Sequence, residues 1–377
     1  MKQTCLLLLI AMNICFIAVC YASDSSDVGA SVDLSLTIMD NNEVVQQTEN
    51  IEGDWKYVIL GDGTAEIISY RGSDTDITIP ATIGGKIVTS IGENAFTWER
   101  IKRVKMPDSI ETIHKSAFSW CTSLTYIELS KNLKLIEEGA FFNCINLSGI
   151  TIPGSVLTIG VQAFSSCEKL SRINWSYGLQ VIESRAFSSC DSLETIAIPD
   201  TVNDMGINPF ANCKKLSQIY ISPEQEFFAV IDGVMYSKAD RRLVCYPLGI
   251  TRNLFNIPEG IVSIGDASLR GCYGLKEIKM PSTLKTIGNS AFSGCVNLKS
   301  ISIPEGVTDI GDAAFWGCTK LDSIDLPNSI AYIGQSAFYD CPSLSLRVNP
   351  DSYVSAYCKE NNIPHTYPDS LDWLSKP

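Results

Sequence analysis

The sequence predicts a repeat solenoid, a β-rich superhelix of short strands and turns with a β-hairpin capping its start and a short helix capping its end. Three observations carry this. A phenylalanine recurs at a fixed interval, an Ile-x-Ile stretch precedes it, and a cysteine follows it three residues later.

The phenylalanine falls at Phe96, Phe118, Phe141, Phe164, Phe187 and Phe210, and resumes as Leu269, Phe292, Phe315 and Phe338. The steps are 22, four of 23, one of 59 and three of 23 residues. Alanine precedes it in every unit except at Pro209 and Ser268, which flank the 59-residue step. Self-similarity at this period is the signature of a stacked array.

Within a unit the elements follow from local chemistry. In "LKSISIPEGVTDIGDAAFWGC", residues 298–318, Ile301 and Ile303 share one face of a strand and Ser302 takes the other. Pro304 ends that strand because it has no donor for a continuing ladder. Val307 to Ile310 form a second extended piece, Gly311 makes the corner, and Ala-Phe returns the chain inward. A unit of this size cannot bury its apolar face alone. Stacked copies can, at the strand spacing of about 4.8 Å, so that ten rungs give a rod roughly 45–50 Å long.

With these residues in place, the pattern resembles the bacterial-type leucine-rich repeats of the BspA-like family over about seven-tenths of the chain. The resemblance implies a right-handed leucine-rich-repeat solenoid on a secreted or cell-surface protein. It also implies adhesion to, or binding of, host or extracellular-matrix proteins.

Nine of the 14 cysteines stand three residues after the repeated position: Cys121, Cys144, Cys167, Cys190, Cys213, Cys272, Cys295, Cys318 and Cys341. An exported chain normally invites disulfides. Here equivalent residues on successive rungs would hold their Cβ atoms about 4.8 Å apart, beyond the roughly 3.8 Å a disulfide prefers. A spacing of 23 is not a metal-ligand spacing, and the chain has only two histidines. A buried packing ladder is therefore expected, with the sulfurs accepting backbone N–H groups. In the repeats the sequence resembles, this slot holds Asn or Cys in that role. Cys245 and Cys358 stand outside the ladder and receive no role.

The ends read differently. Residues 1–22 combine Lys2, an apolar run from Cys5 to Val19 and a small residue at Ala22, as a secretory signal peptide does. Cleavage is expected after Ala22, with lipid attachment at Cys20 as the alternative. Residues 23–52 read as a flexible polar segment and 53–76 as the capping hairpin, around the Gly-Asp-Gly of "DWKYVILGDGTAEIISY". The solenoid spans 77–348, with a hairpin insertion at about 223–250 that either continues the core or protrudes as a ligand loop. Residues 349–377 supply a C-terminal cap, a helix started by Pro350 and Asp351, and an irregular tail.

Net charge is −13, and −14 without Lys2, so the chain repels phosphate backbones and anionic lipid. No nucleic acid, cofactor or metal is expected as a partner, and no transmembrane helix. His114 occupies the corner slot that glycine fills in seven of ten rungs, and Glu137 and Glu183 take the same slot, so all three read as turn residues. No pairing of nucleophile and base stands out, and no catalytic residue is assigned.

The expected ligand is a protein, met by outward positions of the Ile-x-Ile strands. Arg103, Lys105, Tyr126, Arg172 and Tyr220 are the candidate face, since Arg and Tyr are frequent interface anchors. Trp98, Trp120 and Phe142, in three successive rungs, form a candidate aromatic patch. A self-assembling surface component is the rival in another class. A glycan binder or glycan-directed enzyme would need clustered surface aromatics and carboxylates.

Overall fold

The computed structural model describes residues 48–367. The signal peptide expected over 1–22, the sites at Ala22 and Cys20, residues 23–47 and residues 368–377 lie outside the described residues. The described residues wind as a β-solenoid of about thirteen turns with one short helix near its C-terminal end.

Two columns of strands build the coil. The first is made by the short pieces before each corner. Lys86–Ile91, Thr112–Ile113, Leu135–Ile136, Thr158–Ile159, Val181–Ile182 and Asp204–Met205 pair in parallel, each residue opposite its repeat equivalent, as Ile136 is opposite Ile159. Ala65–Tyr70 heads this column and also pairs antiparallel with Trp55–Ile59. A further strand, Asn50–Glu52, lies antiparallel on Trp55–Ile59. The end of the polar segment is thus ordered, where sequence suggested a flexible stretch to residue 52.

The second column is the Ile-x-Ile face. Unlike the first, it is broken into separate ladders. Asp76–Thr78, Arg103–Lys105 and Tyr126–Glu128 form one, Gly149–Ile152 and Arg172–Trp175 a second, and Thr195–Ala197 and Gln218–Tyr220 a third. The fourth runs from Leu254–Asn256 to His365–Thr366.

Between the columns the phenylalanines stack. From Phe96 to Phe210, successive ring centroids lie 4.7–5.9 Å apart with interplanar angles of 1–16°. Each ring is buried, a second stack runs through Phe292, Phe315 and Phe338, and an aromatic edge closes the outer end of each stack. Trp55 meets Phe96 at 6.3 Å and 75°, and Tyr357 meets Phe338 at 6.5 Å and 70°. Hydrophobic burial fixes the ring, and the backbone repeat fixes its angle.

All eleven described cysteines are free. The ladder thiols reverse the expected polarity. Eight of the nine donate to the carbonyl of the repeated residue in the preceding coil, Cys272 being the exception, as Cys121 Sγ does to Phe96 O at 3.0 Å and Cys295 Sγ to Leu269 O at 3.2 Å. Cys144, Cys167, Cys190, Cys213, Cys318 and Cys341 repeat the contact. The corner N–H already bonds the next coil, as Phe118 N does Ala140 O at 2.8 Å, and the phenylalanine carbonyl already accepts the N–H three residues on, as Phe118 O does from Cys121 at 3.2 Å. The weak S–H donor therefore takes the carbonyl's second lone pair.

The 59-residue step holds a three-stranded antiparallel meander, Phe228–Ile231, Val234–Ser237 and Arg242–Cys245. Its last strand pairs in parallel with Ser263–Ile264 and starts a new first column. All four side chains of Val234–Ser237 are buried. Alternation sends Met235 to the N-terminal core and Val234 and Tyr236 to the C-terminal core. The insertion is a wall inside the stack rather than a protruding loop. Cys245 belongs to the first core and Cys358 to the second.

At the C-terminus the helix Tyr353–Glu360 starts later than Pro350 and Asp351 suggested. Asp351 turns to φ 60°, and Ser352 caps the helix by accepting from Ser355 N at 3.1 Å. His365–Thr366 then pairs with the Ser345–Arg347 strand, so part of the tail is regular.

Two outcomes are expected. Phe164→Ala, in the middle of the stack, should lower unfolding free energy by about 3–5 kcal/mol in guanidinium titration. Alkylation of the denatured, unreduced chain followed by peptide mass spectrometry should label every one of the eleven described cysteines; pairs of protected sulfurs would refute the thiol-to-carbonyl ladder.

Candidate ligand-binding face

The outward residues of the Ile-x-Ile strands are exposed while the central isoleucine is buried, a pattern repeated in Arg103–Lys105, Tyr126–Glu128 and Gln218–Tyr220. Parallel register sets Arg103 beside Tyr126, and the guanidinium lies over the ring at 4.8 Å. Lys105 stands beside Glu128 with 3.6 Å between Nζ and the carboxylate, an exposed pair of small energetic weight. Arg172 shares its ladder with Gly149.

No ladder joins Tyr126–Glu128 to Gly149–Ile152 among the described residues. Glycine at the outward slot keeps the floor low. The result is a groove of about 360 Å³ lined by Tyr126, Glu128, Lys131, Gly149, Thr151 and Arg172. Among the described residues neither Arg103 nor Arg172 pairs with a carboxylate. The structure therefore puts Tyr126 and Arg172 in the lining of one groove, with Arg103 stacked on Tyr126 and Lys105 paired to Glu128 beside it. It leaves Tyr220 out, since that residue lies two coils beyond Arg172 and lines a second recess with Trp175 and Tyr177.

Sequence reasoning missed Trp175 and Tyr177, although a signal was present. The slot of Trp175 is Leu129, Ile152 and Ile198 in neighbouring coils, and a tryptophan cannot be buried there as they are.

The aromatic patch differs from the expected row. Trp98 and Trp120 both take the second position after their phenylalanine, at φ 68° and 61°, and stack 4.4 Å apart. Phe142 sits one position earlier and meets Trp120 at 5.9 Å and 64°. Trp98 is 61% exposed, whereas Trp120 and Phe142 are half-buried.

His114 does more than turn the corner. Its Nε2 lies 3.1 Å from Glu66 and its Nδ1 3.1 Å from Glu137, so it ties the capping hairpin to the coils. The Glu66 hydrogen bond, with help from Glu137, outweighs burial and lifts its pKa to about 9. Burial disfavours the Glu66 carboxylate, but the bonds from His114 and Ser90 hold its pKa below the usual range. Cys121 and Cys167 in the ladder are pushed the opposite way to nucleophiles, burial raising both to about 12. Among the described residues no cluster of His, Cys, Asp or Glu could hold a metal ion, and no helix is long and apolar enough to cross a membrane.

The BspA type leucine rich repeat model matches in six copies, over residues 89–217 and 250–362. The chain belongs to this family. The stretch between the two matched BspA-type regions holds the meander. Among solved structures, a leucine-rich cell surface protein from Faecalibacterium prausnitzii is 27% identical, with a TM-score of 0.61 over 86% of this chain and 96% of that one. The pneumococcal vaccine antigen PcpA, 23% identical, shares the fold with a TM-score of 0.68 over 86% of this chain and 99% of its own. A leucine-rich repeat protein from Eubacterium ventriosum, 20% identical, does so at 0.52 over 79% and 83%. No curated protein matches the sequence.

The His114 bridge has a defined pH dependence. An unfolded histidine titrates near 6.5 and the folded one at about 9, so the stabilisation is complete below 6.5 and is lost as pH rises through 9. The unfolding midpoint should fall by several degrees over that interval. His114→Gln should flatten this part of the profile; an unchanged slope would show that the bridge contributes nothing.

Proposed function

We propose that this protein is a non-catalytic binding protein, exported to the cell surface or beyond, whose N-terminal strand face takes a protein ligand of the host or the extracellular matrix. One observation carries the reading. On a chain of net charge −13, two guanidiniums without carboxylate partners flank a tyrosine-walled groove on the outer face of a rigid stack. Free Arg and Tyr anchors on a preformed surface lose little entropy on binding, and Arg recognises carboxylates bidentately. A ligand with acidic side chains fits this site.

The fold supports the same reading. A solenoid sums many modest contacts over an extended face, and the Faecalibacterium prausnitzii relative is itself a cell surface protein. Host or matrix adhesion follows from the resemblance to the family and from the location proposed here.

Pull-down of extracellular and surface proteins with the purified chain tests the proposal. The triple variant Arg103→Ala, Tyr126→Ala, Arg172→Ala should lose at least about tenfold in affinity for the captured partner, since anchors of this kind cost upwards of 1–2 kcal/mol each. Its unfolding midpoint should match the parent. Undiminished capture by the triple variant would remove this face from consideration, and concentration-dependent oligomers in sedimentation would favour self-assembly instead.

A further inference from the structure

The second recess on the strand face has a different chemistry from the Tyr126 groove. It lies where the ladder opens between Arg172–Trp175 and Thr195–Ala197. Its volume is about 400 Å³, and its walls include Trp175, Tyr177, Pro199, Asp200, Tyr220 and Ser222.

One replacement explains the opening. In the slot before the turn, neighbouring coils bury Ile152 and Ile198, while this coil carries Trp175. A bicyclic ring overfills a close-packed slot cut for isoleucine, and forced burial would cost about 1–3 kcal/mol. Trp175 stays half-buried instead. Its ring edge rests on Phe187 at 5.6 Å and 82°, and its indole N–H donates to Ala197 O, spanning a gap that no backbone ladder closes. The indole thus serves as both wedge and strut.

The next turn completes the recess. Gly178 adopts φ 140°, and a Cβ there would fall 1.9 Å from Gly154 O, so this close approach of two turns is open only to glycine. The preceding Tyr177 is 80% exposed, and Tyr220, which also lines the recess, is 54% exposed. Asp200 is also exposed, and the walls bear no cationic side chain.

We propose that this recess binds a neutral, pyranose-containing glycan. Aromatic faces match the C–H face of a pyranose ring, while the carboxylate of Asp200 and the hydroxyl of Ser222 can accept and donate hydrogen bonds at its hydroxyl edge. The lone carboxylate, with no cation beside it, disfavours sialylated, sulfated or uronic sugars and phosphorylated ligands. The recess is separate from the Arg103–Tyr126–Arg172 groove, so the two sites stand or fall independently.

The test is an array of neutral and acidic oligosaccharides probed with the full chain, followed by calorimetric titration of the best neutral hit. The parent should retain neutral glycans. Tyr177→Ala and Tyr220→Ala, both at exposed positions, should each weaken the hit by about tenfold, as loss of an aromatic contact implies. Trp175→Ile, which restores the neighbouring coils' residue and lets the gap close, should abolish retention while keeping or raising the unfolding midpoint. The Arg103, Tyr126, Arg172 triple variant should bind the glycan as the parent does. Retention of acidic glycans only, no retention of any glycan, or equal titration by the Tyr177→Ala and Tyr220→Ala variants would each overturn the proposal.

Discussion

Backbone hydrogen bonds between equivalent residues of successive coils hold everything else in place. At the corner, the N–H of Phe96, Phe118, Phe141, Phe164, Phe292 and Phe315 bonds the carbonyl of the alanine one coil on, at 2.7 Å for Phe96 to Ala117 and 2.8 Å for Phe292 to Ala314, and that of Phe187 bonds Pro209 O. Because that bond repeats in register, identical side chains must stack upon themselves, and the sequence has to offer one residue that tolerates its own copy above and below. Phenylalanine does so by offset stacking. Cysteine does so, in eight of its nine rungs, by pointing its thiol at the preceding coil's carbonyl.

The departures from the repeat are where the surface acquires chemistry. Gly149 lowers the floor beneath Tyr126, Trp175 wedges a ladder apart, and Trp98 and Trp120 occupy a left-handed corner slot. Other coils give that slot to Asn143, Ser166, Gly294 or Asp340, residues that adopt it more readily. A tryptophan there carries a conformational cost of roughly 1–2 kcal/mol. A periodic scaffold absorbs such costs because each rung is supported by two others, so local strain need not spread.

What could be read beforehand tracks how local the cause is. Strand, proline stop, corner glycine and inward phenylalanine are set within one unit, and each appears in the pattern around Ile301, Pro304, Gly311 and Phe315. The polarity of the thiol contact was hidden because it depends on which backbone group the neighbouring coil has already used. The wall at Val234–Ser237 was equally hidden, since a short apolar strand looks the same whether one or both faces are covered. On the face, residue type pointed to Arg103 and Tyr126. It could not reveal which ladders open, and that decides that Arg172 joins them while Tyr220 lies with Trp175 and Tyr177.

The meander divides the oily interior in two, with Met235 facing one side and Tyr236 the other. Nearest-neighbour coupling along the coil must therefore pass through this partition, whose contacts differ from those of an ordinary rung. The two interiors are thus built to open as two cooperative blocks rather than as one zipper. The block bearing both grooves can drift in sequence, rung by rung, while the other keeps the rod intact.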